Sequence, residues 1–243
     1  MLQKTKAIAL HGVRYGESSL VVYLYSFDHG RITLMVNKAF GGGKTKNKAI
    51  YFQPLNMLNI VFYPGRNHGI GRLKEVMPYV IHSEIQYKET KRAIALFVGE
   101  LIYRTIREEE TNPPLYNFIE SSIQILDVLE EGVPNFHLVF LAQFSKYLGF
   151  HPNGIYSEET PFFDYKNGVF VPAEPKHPMY FNPEYSLLLS NLMQTNYTDA
   201  KVLKLNHNQR NKFVELMLGY YAYLMESVHG IKSPAILAQV FQP

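Results

Sequence analysis

The chain has 243 residues, 47% of them hydrophobic and 19% charged, which is enough apolar material for one large or two ordinary domains with packed cores. That composition excludes intrinsic disorder, and the lack of any cysteine excludes disulfides, thiolate metal sites and cysteine nucleophiles. The net charge of +3 conceals a division: residues 1–80 carry a balance of +8 and residues 81–243 a balance of −5. Such asymmetry points to a polyanionic partner for the first part, against the plainer reading of a solvated surface.

The first eighty residues read as five short strands. Lys4 to His11 is a modest apolar run ended by Gly12, and Leu20 to Tyr25 is β-branched and aromatic throughout. The turn signal Asp28-His29-Gly30 precedes Arg31 to Asn37, where Ile32, Leu34 and Val36 fall on one face. A Gly/Lys loop from Phe40 to Lys48 leads to Leu55–Tyr63, and a turn at Pro64–Gly69 leads to Ile70–Val76. Five strands in so short a stretch predict a small barrel of the OB type.

After Pro78 the period changes from two to 3.6. Ala93, Ile94, Phe97, Val98, Leu101 and Ile102 predict a helix from about Ile85 to Arg107. A second helix is expected after Asn112-Pro113-Pro114 and ends at Gly132; a third spans about Asn135 to Leu148. Six prolines between 152 and 183 predict an irregular insertion at about 150–183, with a hairpin at Asp164–Val171 turning at Lys166-Asn167-Gly168. A long helix from about Asn208 to Val228 and a short one from Ser233 complete the chain. The fold class is therefore α+β: an N-terminal five-stranded OB-fold barrel over residues 1–80, then a mainly α-helical domain over 81–243. No apolar run has the length of a signal-peptide core or of a membrane helix, so the expectation is a soluble, cytoplasmic protein.

Gly41-Gly42-Gly43-Lys44-Thr45 resembles part of a phosphate-binding loop, but Lys38 stands where that loop needs its first glycine, and nucleotide hydrolysis is set aside. The glycines followed by Lys44, Lys46 and Lys48 suit a basic loop that moulds to a phosphate backbone; a plain solvent loop is the alternative. No two of the nine histidines have zinc-ligand spacing, so no metal is expected, though His151 and His177 stay open as ligands brought together from a distance. No catalytic motif occurs and no cofactor is implied; Glu108-Glu109-Glu110 reads as a solvated helix end. In an OB-fold the loops between strands 1 and 2 and between strands 4 and 5 border the ligand groove. Here they hold Arg14-Tyr15 and Arg66-Asn67-His68, cations beside flat rings as single-strand binders use, and Arg31, Thr33 and Met35 are placed to floor the groove. The nucleic-acid-binding set is then Arg14, Tyr15, Arg31, Lys38, Lys44, Lys46, Lys48, Arg66 and His68. Tyr15 packing on the barrel rim is the competing reading.

Lys6-Ala7-Ile8-Ala9-Leu10-His11, Tyr15-Gly16-Glu17-Ser18-Ser19-Leu20, His29-Gly30-Arg31, Gln53-Pro54-Leu55, Tyr147-Leu148-Gly149-Phe150 and His229-Gly230-Ile231-Lys232-Ser233, in that order, resemble the bacterial RecO recombination mediators. The resemblance implies an OB-fold with a helical domain, binding of single- and double-stranded DNA, strand annealing, and partnership with RecR and the single-stranded-DNA-binding protein in loading the RecA recombinase. It also implies a bacterial, nucleoid-associated location. For the acidic, hydrophobic-ended tail of the single-stranded-DNA-binding protein it implies a pocket with an apolar floor and a cationic lip, supplied by Arg104 and Arg107 or by Lys146 beside Tyr147. Many members carry four zinc cysteines in the insertion; residues 151–183 hold none, so packing of Phe162, Phe163, Tyr165, Phe170, Tyr180 and Phe181 must take their place. The alternative function is an OB-fold adaptor that binds RNA or an acidic protein without annealing.

Overall fold

The computed structural model describes residues 1–40, 47–66 and 69–242. Its strands are β1 (Gln3–Tyr15), β2 (Ser19–Ser26), β3 (Gly30–Val36), β4 (Met57–Tyr63) and β5 (Gly71–Pro78), closed into a barrel in the order β1-β2-β3-β5-β4. All pairings are antiparallel except β3 with β5, where Leu34 faces Gly71 and Met35 faces Arg72. The core follows the alternation: Ala7 and Ala9, Leu20, Val22 and Leu24, Leu34 and Val36, Leu58, Ile60 and Phe62 are buried inside, and the 3-10 turn Lys48–Phe52 adds Phe52.

Two helices belong to the same compact unit, Met1–Asp127: α1 (Glu89–Thr105) and α2 (Pro113–Val128), the second extending one residue past it. The 80/81 division marks the change from strand to helix, whereas the compact units part at Asp127, for physical reasons. Helix α1 passes so close to the barrel that a side-chain carbon on Gly99 would lie 3.1 Å from Pro54 and 3.4 Å from the Leu10 carbonyl. Tyr25, on the outer face of β2, packs on Tyr116 of α2 at 5.9 Å. The Asp127 carboxylate accepts from the backbone N–H groups of Ser83, Glu84 and Ile85 at 2.8–2.9 Å, and the buried Lys91 ammonium donates to Glu84 and to the Asp127 carbonyl. Asn112 caps α2 as expected, accepting from Leu115 N–H at 3.1 Å, but the helix stops at Val128 rather than Gly132.

The second unit, Val128–Pro243, holds α3 (Phe136–Tyr147), a small sheet of β6 (Phe162–Asp164), β7 (Val169–Val171) and β8 (Tyr180–Phe181) in the order β7-β6-β8, then α4 (Pro183–Gln194), α5 (His207–Leu224) and α6 (Ser233–Val240). The expected hairpin forms around Gly168 at φ 70°, but its first strand lies earlier, ending rather than beginning at Asp164. Helix α4 has no counterpart in the sequence reading. Pro183 sits in its first turn, where a missing N–H costs nothing, and Asn182 caps it by accepting from Tyr185 N–H; the proline is a start signal here. Helix α5 opens on a capping box of Asn206 and Gln209 and ends at Leu224, with a 3-10 turn at Glu226–Gly230. Among the described residues no helix is long and apolar enough to cross a membrane.

Candidate nucleic-acid interface

Two groups of basic residues stand out on the barrel among the described residues. The first lies at the seam where β3 and β5 run parallel. Arg72 and Lys74 stand two apart on β5 and are exposed; Tyr63, at the end of β4, pairs with Arg72 and is 48% exposed. Lys74 is the extra residue of a bulge, since Val61 pairs with Glu75 and Phe62 with Leu73, and bulges re-aim side chains. Lys48 joins them from the 3-10 turn that Asn47 caps. With Asn37 these side chains line an open cavity of about 680 Å³ that no acidic residue lines among the described residues. An ion pair at 3.5 Å with the neighbouring Glu75 partly offsets the charge of Lys74.

The second lies at the end of β1, where the chain turns into β2; Arg14 and Tyr15, expected in the loop, are the last two residues of the strand and pair with Leu20 and Ser19. The Arg14 guanidinium lies over the Phe40 ring at 5.0 Å and donates to the Glu17 carbonyl at 3.0 Å, while Tyr15 is 63% exposed. Ala39 N–H donates to the Ser18 carbonyl at 2.7 Å, drawing the segment from Lys38 to Phe40 against this turn. Lys38 is exposed and has φ 52°, a left-handed conformation rare without glycine. Arg14 is thus packed on Phe40 beside an exposed Tyr15, with Lys38 two residues before Phe40 in the chain.

Arg31 is placed differently. Its guanidinium donates to the carbonyls of Tyr103 and Ile106 at 3.2 and 3.1 Å and lies over the rings of Tyr103 and Tyr23 at 4.7 and 5.2 Å. It serves the carbonyl end of α1, where a cation complements the helix dipole. His11 completes this stack at 4.8 Å from the Tyr103 ring, and burial holds its pKa below the usual value. The end of α1 therefore engages Arg31, so that of the three residues expected to floor the groove Arg31 and Thr33 line a separate open cavity beside Glu109, and Met35, beside Arg72, adjoins the basic seam. Arg66 is exposed in the β4–β5 connection. Lys44, Lys46 and His68, with the rest of Gly41–Lys46 and Asn67, lie outside the described residues.

Sequence reasoning missed Arg72, Lys74 and Tyr63 as site residues. The signal was present as two cations two apart in a strand, but nothing local says that β5 closes against β3.

The candidate lip residues fall in different units. Arg104 pairs with Glu100 at 3.7 Å and Arg107 follows α1 in the first unit; Lys146, exposed, and Tyr147, half-buried, end α3 in the second. The second unit has an apolar cavity of about 580 Å³ lined by Tyr165, Met179, Leu218, Tyr223, Val228 and His229 among others, but none of the four candidates lines it. The insertion offers no zinc-ligand set: Asp164 spends its carboxylate on the N–H groups of Lys166 and Asn167, with His177 at 3.4 Å. Among the described residues no three histidine or acidic side chains are arranged to hold a metal ion. Phe163 instead packs on Phe170, Tyr220 and Phe181 at 5.1, 5.4 and 5.5 Å.

Barrel and helices together define an OB-fold protein with a helical continuation. Residues 1–81 match the family model "Recombination protein O N terminal" and residues 90–233 match "Recombination protein O C terminal". The chain is 34% identical over 241 residues to the "DNA repair protein RecO" of Phocaeicola vulgatus, covering 99% of this chain and 100% of the relative. It is 33% identical to the proteins of the same description in Bacteroides fragilis and Christiangramia forsetii, over 242 and 245 residues, again 99% of this chain and 100% of each relative. The chain belongs to the RecO family of DNA repair and recombination proteins.

Proposed function

We propose that the barrel binds single-stranded DNA along the β3–β5 seam, and that the protein mediates recombination by annealing strands and, with RecR and the single-stranded-DNA-binding protein, by loading the RecA recombinase. The observation that carries this reading is the seam itself: Lys48, Arg72 and Lys74 beside an exposed Tyr63 combine phosphate contacts with a stacking platform. Arg14, Tyr15 and Lys38 add a second contact, and the same cations meet duplex DNA through its phosphates. Neutralising two strands lowers the repulsion that opposes their pairing. In this reading residues 1–80 hold the nucleic acid, residues 81–243 meet protein partners, Arg31 is structural, and no covalent chemistry is required. The protein works in the cytoplasm, at the nucleoid.

Filter binding of single-stranded DNA against RNA of equal length, followed by annealing of complementary oligonucleotides, tests the proposal. Tighter binding of DNA and faster annealing are expected. Preference for RNA, or binding without any acceleration, would favour an adaptor that does not anneal.

A further inference from the structure

Strand β1 outruns one of its partners. It pairs with β2 from Ala7 to Tyr15 but with β4 only from Gln3 to Ile8. Ala9 still finds bonds on the β4 side, donating to the Asn56 carbonyl at 2.9 Å and accepting from Leu55 N–H at 2.8 Å. Past the bulge between Ala9 and His11, no strand lies against that edge of β1 among the described residues. His11, Gly12, Val13, Arg14 and Tyr15 are all exposed, Val13 by 46%. A strand edge of this kind is a template for another strand, and proteins usually blunt it with lysine or proline. Here neither is present, the bulge at Ala9/His11 lies at the start of the edge and not within it, and the one cation, Arg14, is turned onto its own loop through Glu17 and Phe40.

We propose that this edge pairs antiparallel with the same edge of a second copy of the chain, about a two-fold axis at Val13. The choice of occupant and register rests on self-complementarity. Centred on Val13, the five exposed residues oppose Val13 to Val13, His11 to Tyr15, and Gly12 to Arg14. Apolar meets apolar, ring meets ring, and the long cation faces a residue without a side chain. Moving the axis to Arg14 sets two guanidinium groups directly opposite, which is destabilising. Moving it towards the N-terminus brings in Leu10, which is buried. The contact is isologous, as two-fold dimers require, and smaller than a standard interface, so the dimer forms weakly and with rising concentration. It uses the β1 edge with Tyr15 and leaves the seam of Lys48, Arg72, Lys74 and Tyr63 untouched. It would place two basic seams in one assembly, but it does not depend on the nucleic-acid reading and is tested without DNA.

The chain has no cysteine, so each substitution introduces a single thiol. Opposed residues of an antiparallel pair lie about 4.5–5.5 Å apart at Cα, within the span of a disulfide. Under mild oxidation Val13→Cys is expected to form covalent dimer at least about tenfold faster than Tyr87→Cys, an exposed control, because pairing holds the thiols at high effective concentration. His11→Cys mixed with Tyr15→Cys should cross-link, while each alone stays at the control rate. Sedimentation of the unaltered chain should show dimer rising with concentration. A monomer at every soluble concentration, Val13→Cys at the control rate, or Tyr15→Cys alone as fast as the mixture would each overturn the proposal.

Discussion

Replacing Lys48, Arg72 and Lys74 together by glutamine removes the positive charge that lines the β3–β5 seam while keeping polar side chains near Tyr63. Each phosphate neutralised on a single strand contributes roughly −0.7 to the slope of log K against log salt. Lys48 and Arg72 count in full, whereas Lys74 shares its charge with Glu75 at 3.5 Å, so the slope should flatten by about 1.4–2.1. Over a fourfold rise in salt one contact is worth a factor of about 2.6, and the triple variant should lose about 7- to 18-fold of its salt sensitivity. Anisotropy of a labelled oligothymidine between about 50 and 200 mM salt reads this directly. Tyr63→Ala is the contrasting change: a lost stacking contact lowers affinity by about 1–3 kcal/mol and leaves the slope alone. A triple variant with unchanged slope would refute the assignment of the seam, and a flattened slope in Lys38→Gln with Arg14→Gln instead would move the main contact to the β1–β2 turn.

His137 is fully buried and burial holds its pKa at about 3, below an ordinary 6.5. The unfolded chain therefore binds a proton that the folded one refuses, so stability falls as pH drops from 6.5 towards 3, by up to about 1.4 kcal/mol per pH unit from this group. Urea unfolding at several pH values should show a shallower decline in His137→Leu, and parallel declines would contradict the linkage. Asp127→Ala leaves the N–H groups of Ser83, Glu84 and Ile85 without their acceptor and should cost about 2–4 kcal/mol in urea denaturation; a loss below about 1 would mean that solvent replaces the carboxylate. Gly30→Ala forces a side chain at φ 58° to within 2.3 Å of the Glu110 carbonyl, so a thermal scan should show at least about 1–2 kcal/mol of destabilisation. A fragment of residues 1–127 should unfold cooperatively and at higher temperature than one of residues 1–80, which lacks the helix that holds Arg31; equal midpoints would show that the barrel needs neither helix.

Apolar and β-branched runs bounded by turn signals were enough for the five strands, although β1 runs past Gly12 to Tyr15, and periodicity marked the change to helices after Pro78 and the helices built on Phe97 and Ile123, because one buried face imposes its spacing on the residues that make it. Charge counting likewise set the basic first eighty residues apart from the acidic remainder before any residue was placed. Helix α4 escaped because a proline has opposite meanings inside a helix and in its first turn, and only the Asn182 cap tells them apart. The site was legible in its residue types and not in its arrangement. Arg31 and Arg72 look alike as cations on strands of one barrel, yet α1 captures the first through two carbonyls and the parallel β3–β5 closure exposes the second beside Tyr63. The same holds for the free edge of β1, since a strand's own sequence does not state where its neighbour ends. These are contacts between segments far apart in the chain, and the energy that decides them comes from packing partners that no local window contains.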